Sequence, residues 1–329
     1  MDVLGLDIGG ANLKAAHTNG RALSVPFALW KNPAGLTDAL RNLLEQIPSA
    51  DALAVTMTGE LCDCFENKRR GVLAILDAVQ AAAGSVPIRV WDNDGHFVDV
   101  TAARQSPLQS ASANWLALAA FAGRYAPQGP ALLLDIGSTT TDIVPLFDGR
   151  PVPNGRTDPK RLKQAELVYM GVRRTPLCSI LGAYAAAEVF ATTLDVYLLL
   201  GCFSEDPTNT NTADGRPATK AAAQLRIARM LCADLETSTA DERRKLVERV
   251  LLCQVRGLGS CVRSVAKHLP APPQTILLAG EGEFLARIIL KEASDLPLCR
   301  TVSLNDKLTP AISQSACAYA VAILAAEKG

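Results

Sequence analysis

Two aspartates in closely similar sequence contexts, Asp7 and Asp135, are the residues of this 329-residue chain best placed to do chemistry. Each follows an apolar run and begins the motif Asp-Ile-Gly, after which small and polar residues lead into a second extended run. Magnesium prefers one or two carboxylates together with waters and phosphate oxygens. An aspartate can instead cap a turn, but equivalent positions in a repeat favour two metal ligands, Asp7 and Asp135.

The small residues after each aspartate predict a site for a phosphate group. Successive backbone N–H groups in a tight turn form a nest that binds anions, and glycine lets a ligand come close to the backbone. Lys14 adds a positive charge, unless it is simply an exposed strand residue. A later glycine pair precedes a predicted helix N-terminus, which also favours anions. The predicted phosphate-binding residues are Gly9, Gly10, Asn12, Gly137, Ser138, Thr139, Thr140, Gly280 and Gly282.

Further polar residues follow predicted strands or lie in charged loops. Glu60 comes just after a short apolar strand, and with Asp7, Asp135 and Lys14 it completes the predicted catalytic set, as a proton acceptor or metal helper. Asx turns and solvated loops are the structural alternatives for the remaining candidates. Arginine suits phosphate or carboxylate recognition because its planar fork bonds two oxygens at once. The predicted substrate-binding residues are Asp92, Asn93, Asp94, Arg173, Arg174, Asp214 and Arg216.

The two motifs must be positioned by equivalent hairpins. Asn19-Gly20 and Asp148-Gly149 follow the second extended run of each copy, and both dipeptides favour type I′ turns. Two copies of one meander would then face each other across a single phosphate group. The predicted strands are 3–8, 12–18 and 22–30 in the first copy, and 131–136, 140–147 and 150–153 in the second.

Alternating strands and helices fill the rest of the chain and predict an α/β class. The Pro/Gly-rich segment 126–130 is the expected boundary, giving domains 1–128 and 129–329 with a helical insertion at about 160–270. In the first half we predict helices 36–47, 71–83 and 114–122, and strands 52–58 and 88–91. In the second half we predict an extended segment 167–174, helix 181–196, polar loop 204–217, helices 218–234 and 240–268, strand 275–279, a helix after Gly282, and a final helix 310–327.

The repeated motif resembles the phosphate loops of the actin, sugar-kinase and Hsp70 ATPase superfamily. A third element of that superfamily, an apolar strand followed by Gly-x-Gly and a helix, is matched by ILLAGEGE at 276–283. The resemblance implies two ribonuclease-H-like domains around a central cleft. It also implies that one or both aspartates act through Mg²⁺ on a phosphate-bearing ligand.

Other segments resemble one family in particular, the hydantoinase/oxoprolinase-related group linked with tetrahydromethanopterin-dependent one-carbon transfer. An archaeal member of the group makes the aryl-ether bond of methanofuran. The resemblance implies an aryl-ether transferase that joins a furylmethyl diphosphate to a phenolic, tyramine- or tyrosine-derived acceptor and releases diphosphate. The segments that carry it are TMTGELCD at 56–63, YMGVRRTP at 169–176, DVYLLLG at 195–201 and ADGRP at 213–217.

Two alternatives to the transferase stay open. In the first, the chain is an ATP-dependent kinase or a hydantoinase/oxoprolinase-like amidohydrolase of the same fold. In the second, it is a non-catalytic assembly protein of the pathway. Glu281 and Glu283 place two acidic residues in the third element and disfavour a tight adenosine site. ATP is therefore not the favoured ligand.

Composition argues against nucleic acid and membrane partners. Net charge is zero, with 33 basic and 33 acidic residues, so no basic excess neutralises phosphates, and Lys68-Arg69-Arg70 reads as a solvated turn. The apolar stretch 183–200 is interrupted by Glu188 and Asp195 and reads as a buried helix. Nine scattered cysteines and a strand at the N-terminus predict a cytoplasmic protein. The expected partners are a small-molecule diphosphate donor and a phenolic acceptor, and a homodimer stays open.

Overall fold

A computed structural model describes residues 1–292 and 299–328. The strands of the first of its two sheets are β1 Val3–Ile8, β2 Asn12–His17, β3 Ala22–Pro26, β4 Ala52–Met57, β5 Ile88–Trp91 and β6 Phe97–Val98. Their order is β3-β2-β1-β4-β5-β6. The first three form an antiparallel meander, β4 and β5 run parallel to β1, and the short edge strand β6 is antiparallel to β5. The helices of this half are α1 Leu36–Glu45, α2 Lys68–Ala83, α3 Val100–Gln105 and α4 Asn114–Ala122.

The second sheet repeats the plan of the first. Its order is β10-β8-β7-β11-β12, with β9 paired to β8, and β11 and β12 run parallel to β7. The strands are β7 Pro130–Ile136, β8 Thr141–Phe147, β9 Arg150–Pro151, β10 Leu167–Val168, β11 Thr275–Ala279 and β12 Arg300–Ser303. The helices are α5 Asp158–Lys163, α6 Leu177–Leu181, α7 Thr193–Leu199, α8 Lys220–Met230, α9 Ala240–Ala266, α10 Glu283–Glu292, α11 Leu304–Lys307, α12 Pro310–Gln314 and α13 Ala316–Glu327.

The predicted α/β class and the internal repeat are confirmed by these two sheets. In each, a central strand carries the Asp-Ile-Gly motif at its carboxyl end, with an antiparallel hairpin partner on one side and a parallel strand on the other. The central strand β1 is buried along its whole length, and β7 is buried at every position except Asp135. The motifs therefore emerge from a strand that is buried along all or nearly all of its length in each lobe.

Two helices are exchanged between the halves. Helix α4 follows the first sheet in sequence but packs against β8 and β9, whereas α13 ends the chain and packs against β1 and β4. The contact of α13 with β1 is close, because a Cβ added at Gly5 would lie 1.8 Å from the Ala318 carbonyl oxygen. The exchange ties the halves together, and the domain division at 128/129 stays a prediction.

The predicted helix at 181–196 is wrong. Helix α6 ends at Leu181 because Gly182 adopts φ +55°, and a single 3-10 turn follows it. The chain is then non-helical until Thr192, where a capping box between Thr192 and Asp195 starts α7. The apolar character of the stretch suggested a helix here, but Gly182 and the capping box decide where the helices end and begin.

Other predicted elements are shorter than expected or interrupted. The helix predicted at 218–234 spans only Lys220–Met230. The strand predicted at 22–30 ends at Pro26, and only Leu167–Val168 of the extended segment 167–174 is a strand. The final helix is interrupted at Ser315 and forms α12 and α13. Across residues 1–292 and 299–328, no helix combines the length and the apolar character needed to cross a membrane.

Candidate active site

The two Asp-Ile-Gly hairpins have the same turn geometry. The Gly9 N–H donates to the Asn12 carbonyl at 3.1 Å, and the Gly137 N–H donates to the Thr140 carbonyl at 2.9 Å. Each turn thus leaves its intervening residues outside the ladder, as the anion-nest prediction requires. We call these turns, residues 9–12 and 137–140, the first and second phosphate loops.

The register of each hairpin places a charged residue beside its aspartate. Asp7 lies opposite Lys14 in the first hairpin, and Asp135 lies opposite Asp142 in the second. Asp142 forms an ion pair with the buried Arg161 at 2.8 Å. The equivalent positions of the repeat therefore hold a cation in one lobe and a paired anion in the other.

The two aspartates share one electrostatic environment across the lobes. Burial disfavours the Lys14 ammonium, but the carboxylates of Asp7, Asp135 and Glu281 outweigh it and raise the pKa of Lys14. Burial raises the pKa of Asp135 to about 7, helped by Asp142 and Asp7 and opposed by Lys14. The fold thus brings together the three predicted residues from both sheets, and Lys14 is half-buried rather than an exposed strand residue.

These carboxylates suit a magnesium ion. Asp7 Oδ1 is buried and has no hydrogen-bond partner, and burial raises the pKa of the Asp7 carboxyl. The described residues contain no cluster of three or more His, Cys, Asp or Glu that could hold a metal. Magnesium does not require one, because it keeps waters and phosphate oxygens in its shell. Asp7 and Asp135 are the residues that would hold it, and this assignment stays a prediction.

The second phosphate loop is held from behind by the segment 171–174. The N–H groups of Arg173 and Arg174 both donate to the Ser138 carbonyl, at 3.0 and 2.9 Å. A Cβ added at Gly171 would lie 2.6 Å from the Gly137 carbonyl oxygen. These contacts fix the conformation of the second phosphate loop.

The third glycine element reaches the same place. Gly280 has φ +83°, and a Cβ added there would lie 2.3 Å from the Ile136 carbonyl oxygen and 2.5 Å from Asp135 Oδ1. The Gly282 N–H donates to that same carbonyl at 2.9 Å. The three predicted glycine elements therefore come from the carboxyl ends of β1, β7 and β11.

Comparison with known protein families identifies the family of this chain. The model of the hydantoinase/oxoprolinase family matches residues 51–328. The chain belongs to this family. The (4-{4-[2-(gamma-L-glutamylamino)ethyl]phenoxymethyl}furan-2-yl)methanamine synthase of Methanocaldococcus jannaschii is 32% identical over 304 residues, which cover 89% of this chain and 88% of that protein. The synthase of the same name from Methanococcus vannielii is 30% identical over 201 residues, covering 59% of this chain and 89% of that protein.

Solved structures place the family member in the ATPase fold expected from its motifs. An acetone carboxylase that depends on ATP, solved without nucleotide, has a TM-score of 0.56 at 11% identity and covers 97% of this chain and 70% of its own. A candidate N-acetylmannosamine kinase from Listeria monocytogenes has a TM-score of 0.50 at 15% identity. The match covers 99% of this chain and 100% of the kinase. At these identities the likeness shows the fold alone.

In this family member, the acidic pair of the third element is already neutralised. Glu281 accepts from Arg173 Nε at 2.6 Å, and Glu283 accepts from Arg287 Nε at 3.0 Å and from Ser303 Oγ at 2.8 Å. Paired carboxylates repel a nucleotide less than free ones do, so the two acids disfavour adenosine less than the sequence suggested.

Glu60 lies in a buried polar cluster that also corrects the prediction for Lys68. Ser112 Oγ donates to Glu60 Oε1 at 2.6 Å, and Glu60 Oε2 is buried without a partner. Burial raises the pKa of Glu60. Lys68 is the first residue of α2 and not a solvated turn, because its Nζ donates to Ser112 Oγ at 3.1 Å and to Asp158 Oδ2 at 2.9 Å. This cluster joins the two lobes.

The remaining predicted substrate residues make structural bonds. Asp92 Oδ1 accepts from the N–H groups of Asp94 and His96, the Asx turn that was the alternative for this segment. Asn93 Nδ2 donates to the Ala111 carbonyl at 2.7 Å. Asp214 binds three arginines, Arg216, Arg226 and Arg229. Within the described residues, 1–292 and 299–328, these side chains form no hydrogen bond or ion pair with the phosphate loops, and their binding of a substrate stays a prediction.

Three residues of this region escaped the sequence reasoning. Asp142 occupies the position equivalent to Lys14, so aligning the two copies residue by residue would have found it. Trp30 approaches Arg174 from the other lobe. Cys317 lies at the start of α13, and its thiol pKa is raised well above 9 by burial and by Asp7 and Asp135. Its position depends on the helix exchange, for which the sequence carries no local signal.

Proposed function

We propose that this protein is a transferase of methanofuran-type cofactor biosynthesis. It would join a furylmethyl diphosphate to the phenol of a tyramine- or tyrosine-derived acceptor and release diphosphate. The observation that carries the proposal is the likeness to the M. jannaschii synthase, which extends over nearly the whole length of both chains. That relative's name describes a phenoxymethyl-furan product, and this is the ether such a transfer makes.

The reaction is a displacement at carbon. A bond forms between the phenol oxygen and the furylmethyl CH₂ group, and the bond between that CH₂ and the diphosphate oxygen breaks. The electron pair of the broken bond leaves with diphosphate, and the phenol proton passes to a base. The furan ring spreads positive charge from the CH₂ group, so the barrier depends mainly on stabilising the departing oxygens.

The paired loops are suited to that task. Negative charge grows on the leaving group in the transition state, and preorganised N–H groups and cations aimed at it act with little reorganisation. The loop amides at 9–12 and 137–140 and the Lys14 ammonium supply these groups, and the raised pKa of Lys14 keeps it charged at neutral pH. When bound by Asp7 and Asp135, Mg²⁺ would add Lewis-acid stabilisation of the diphosphate oxygens.

Glu60 is our candidate for the base. A free phenol has a pKa of about 10, so a carboxylate that receives its proton contributes on the order of a hundredfold or more. Burial raises the pKa of Glu60, which makes the carboxylate a better proton acceptor, and Oε2 has no competing hydrogen bond. Ser112 and Lys68 hold the other oxygen, Oε1, which orients the carboxyl group.

The test is product formation by the purified protein. The assay contains an aminomethyl-furylmethyl diphosphate, γ-glutamyltyramine and Mg²⁺, and it omits ATP. We expect an ether whose mass is that of the acceptor and donor together minus the released diphosphate, with one diphosphate formed per ether. ATP consumption in every turnover would instead identify the kinase or amidohydrolase alternative. A complete lack of turnover, together with binding to pathway enzymes, would identify an assembly protein.

A further inference from the structure

Arg174 and Trp30 meet across the cleft. The guanidinium carbon of Arg174 lies 5.6 Å from the centre of the Trp30 ring, and the two residues belong to opposite lobes. Arg174 is exposed and Trp30 is half-buried, so both retain a surface that a ligand can reach. This is a cation–π arrangement, in which an arginine rests near the face of an indole.

Each member of the pair is fixed to one phosphate loop. The Arg174 N–H donates to the Ser138 carbonyl at 2.9 Å, and Trp30 follows Leu29, whose N–H donates to the Gly10 carbonyl at 2.9 Å. The side chains therefore meet beside the place where the loops would hold diphosphate. A molecule that reacts with a diphosphate ester has to lie next to that place.

The neighbouring arginine shows that Arg174 is distinctive. Arg173 is paired with Glu281 at 2.6 Å and lies over the Phe203 ring at 4.0 Å. Within residues 1–292 and 299–328, no carboxylate lies within ion-pair distance of Arg174. Its charge is thus available to an anionic group of a ligand, whereas the charge of Arg173 is already used by the protein.

We propose that Trp30 and Arg174 form the acceptor subsite, an inference that rests on the proposed function. The indole of Trp30 would contact the phenol ring, and the guanidinium of Arg174 would bind the carboxylate of a γ-glutamyl-type substituent. The M. jannaschii relative's name places a γ-glutamylamino-ethyl group on the phenoxy ring, so its acceptor carries both an aromatic ring and a carboxylate.

Charge complementarity favours the acceptor over the donor as the ligand of Arg174. The methanamine group in the name of that relative is a cation at neutral pH, and a guanidinium would repel it. The donor's diphosphate has the loop amides and Lys14 as partners. Arginine binds a carboxylate through two parallel N–H···O bonds, which gives geometric selectivity as well as attraction.

The experiment measures equilibrium binding by calorimetry without donor, so that it does not depend on turnover. The probes are γ-glutamyltyramine and N-acetyltyramine, which are both amides of the tyramine nitrogen and differ by the carboxylate-bearing amino-acid end of the glutamyl group. Arg174→Gln should weaken γ-glutamyltyramine about 10- to 100-fold, the effect of losing a charged hydrogen bond, and leave N-acetyltyramine within about threefold. Trp30→Leu should weaken both probes by a similar factor, about threefold to tenfold, because both present the phenol ring.

A matched control is Arg249→Gln. Arg249 is also an exposed arginine over an aromatic ring, at 4.2 Å from the centre of Tyr184, but its pair lies within the second half of the chain. This variant should bind both probes like the parent.

The proposal is overturned if the parent protein binds neither probe, or if Arg174→Gln weakens N-acetyltyramine as much as γ-glutamyltyramine. It is also overturned if Arg174→Gln spares both probes and instead weakens binding of diphosphate, since the arginine would then serve the leaving group. Binding that follows the expected pattern in a protein that forms no ether would support the subsite and refute the proposed function, so the two failures are distinguishable.

Discussion

Replacing Asp135 by asparagine tests the electrostatics of the cleft. Burial, Asp142 and Asp7 raise the pKa of Asp135 from 3.8 to about 7. Below pH 3.8 the carboxyl is neutral in both the folded and the unfolded chain. As the pH rises from 3.8 to about 7, the carboxyl ionises in the unfolded chain but stays protonated in the folded protein, so the free energy of unfolding falls and the loss is complete above pH 7. The difference corresponds to at most about 4 kcal/mol, and the partial solvent access of Asp135 at the cleft lowers it.

Asp135→Asn cannot ionise and therefore escapes this loss. Without Mg²⁺, the variant should match the parent in free energy of unfolding at pH 4 and exceed it by about 1–3 kcal/mol at pH 8.5. Turnover should nevertheless fall by about 100-fold or more, because an amide is a poor magnesium ligand. Urea unfolding in a chelator at both pH values measures the first quantity, and diphosphate release measures the second.

A surface aspartate serves as the control for this prediction. Asp38 is 78% exposed and pairs with Arg41 at 3.0 Å, so Asp38→Asn should change the free energy of unfolding by less than about 1 kcal/mol at either pH. The reasoning is refuted if Asp135→Asn is less stable than the parent at pH 8.5. Activity within a few-fold of the parent at matched magnesium would show that the motif is structural.

Four further substitutions test other parts of the site. Lys14→Ala should slow diphosphate release in a single turnover by about 10- to 100-fold. Arg173→Ala should have a smaller effect, because Glu281 already neutralises the charge of Arg173. Equal effects of the two substitutions would contradict this ranking. Gly280→Ala should lower the free energy of unfolding by about 2–4 kcal/mol, measured in urea, because φ is +83° and the Ile136 carbonyl is too close; unchanged stability would refute the crowding. Glu60→Gln should lower kcat about 100-fold at neutral pH and less at pH 10, where the phenol ionises without help; a uniform loss across the pH–rate profile would argue against proton transfer.

The repeat made the centre of the fold predictable from sequence. Two Asp-Ile-Gly motifs with hairpin turns specify two strands each, and parallel strands that carry similar glycine motifs end at the same edge of a sheet. The opposition of Asp7 and Asp135 follows from that symmetry, and the positions of Lys14 and Gly280 follow from register and the strand order.

The contacts between segments far apart in sequence were not predictable in the same way. Lys68 reads as part of a solvated basic run, and only the approach of α5 gives it Asp158 as a partner. The exchange of α4 and α13 leaves no local pattern, so the place of Cys317 beside both aspartates had no signal. The helix predicted at 181–196 failed because Gly182 and the capping box at Thr192 outweigh helix propensity in that segment.

The fate of the oxygen that links carbon to diphosphate tests the central claim most directly. The donor is synthesised with ¹⁸O at the position between the furylmethyl CH₂ and phosphorus, and it is incubated with the phenolic acceptor and Mg²⁺ in the absence of ATP. Mass spectrometry then follows the label. If diphosphate departs from carbon, all of the ¹⁸O appears in diphosphate, and the oxygen of the new ether bond is the unlabelled phenol oxygen. Label retained on the furylmethyl group would show cleavage between oxygen and phosphorus, which contradicts the transferase mechanism.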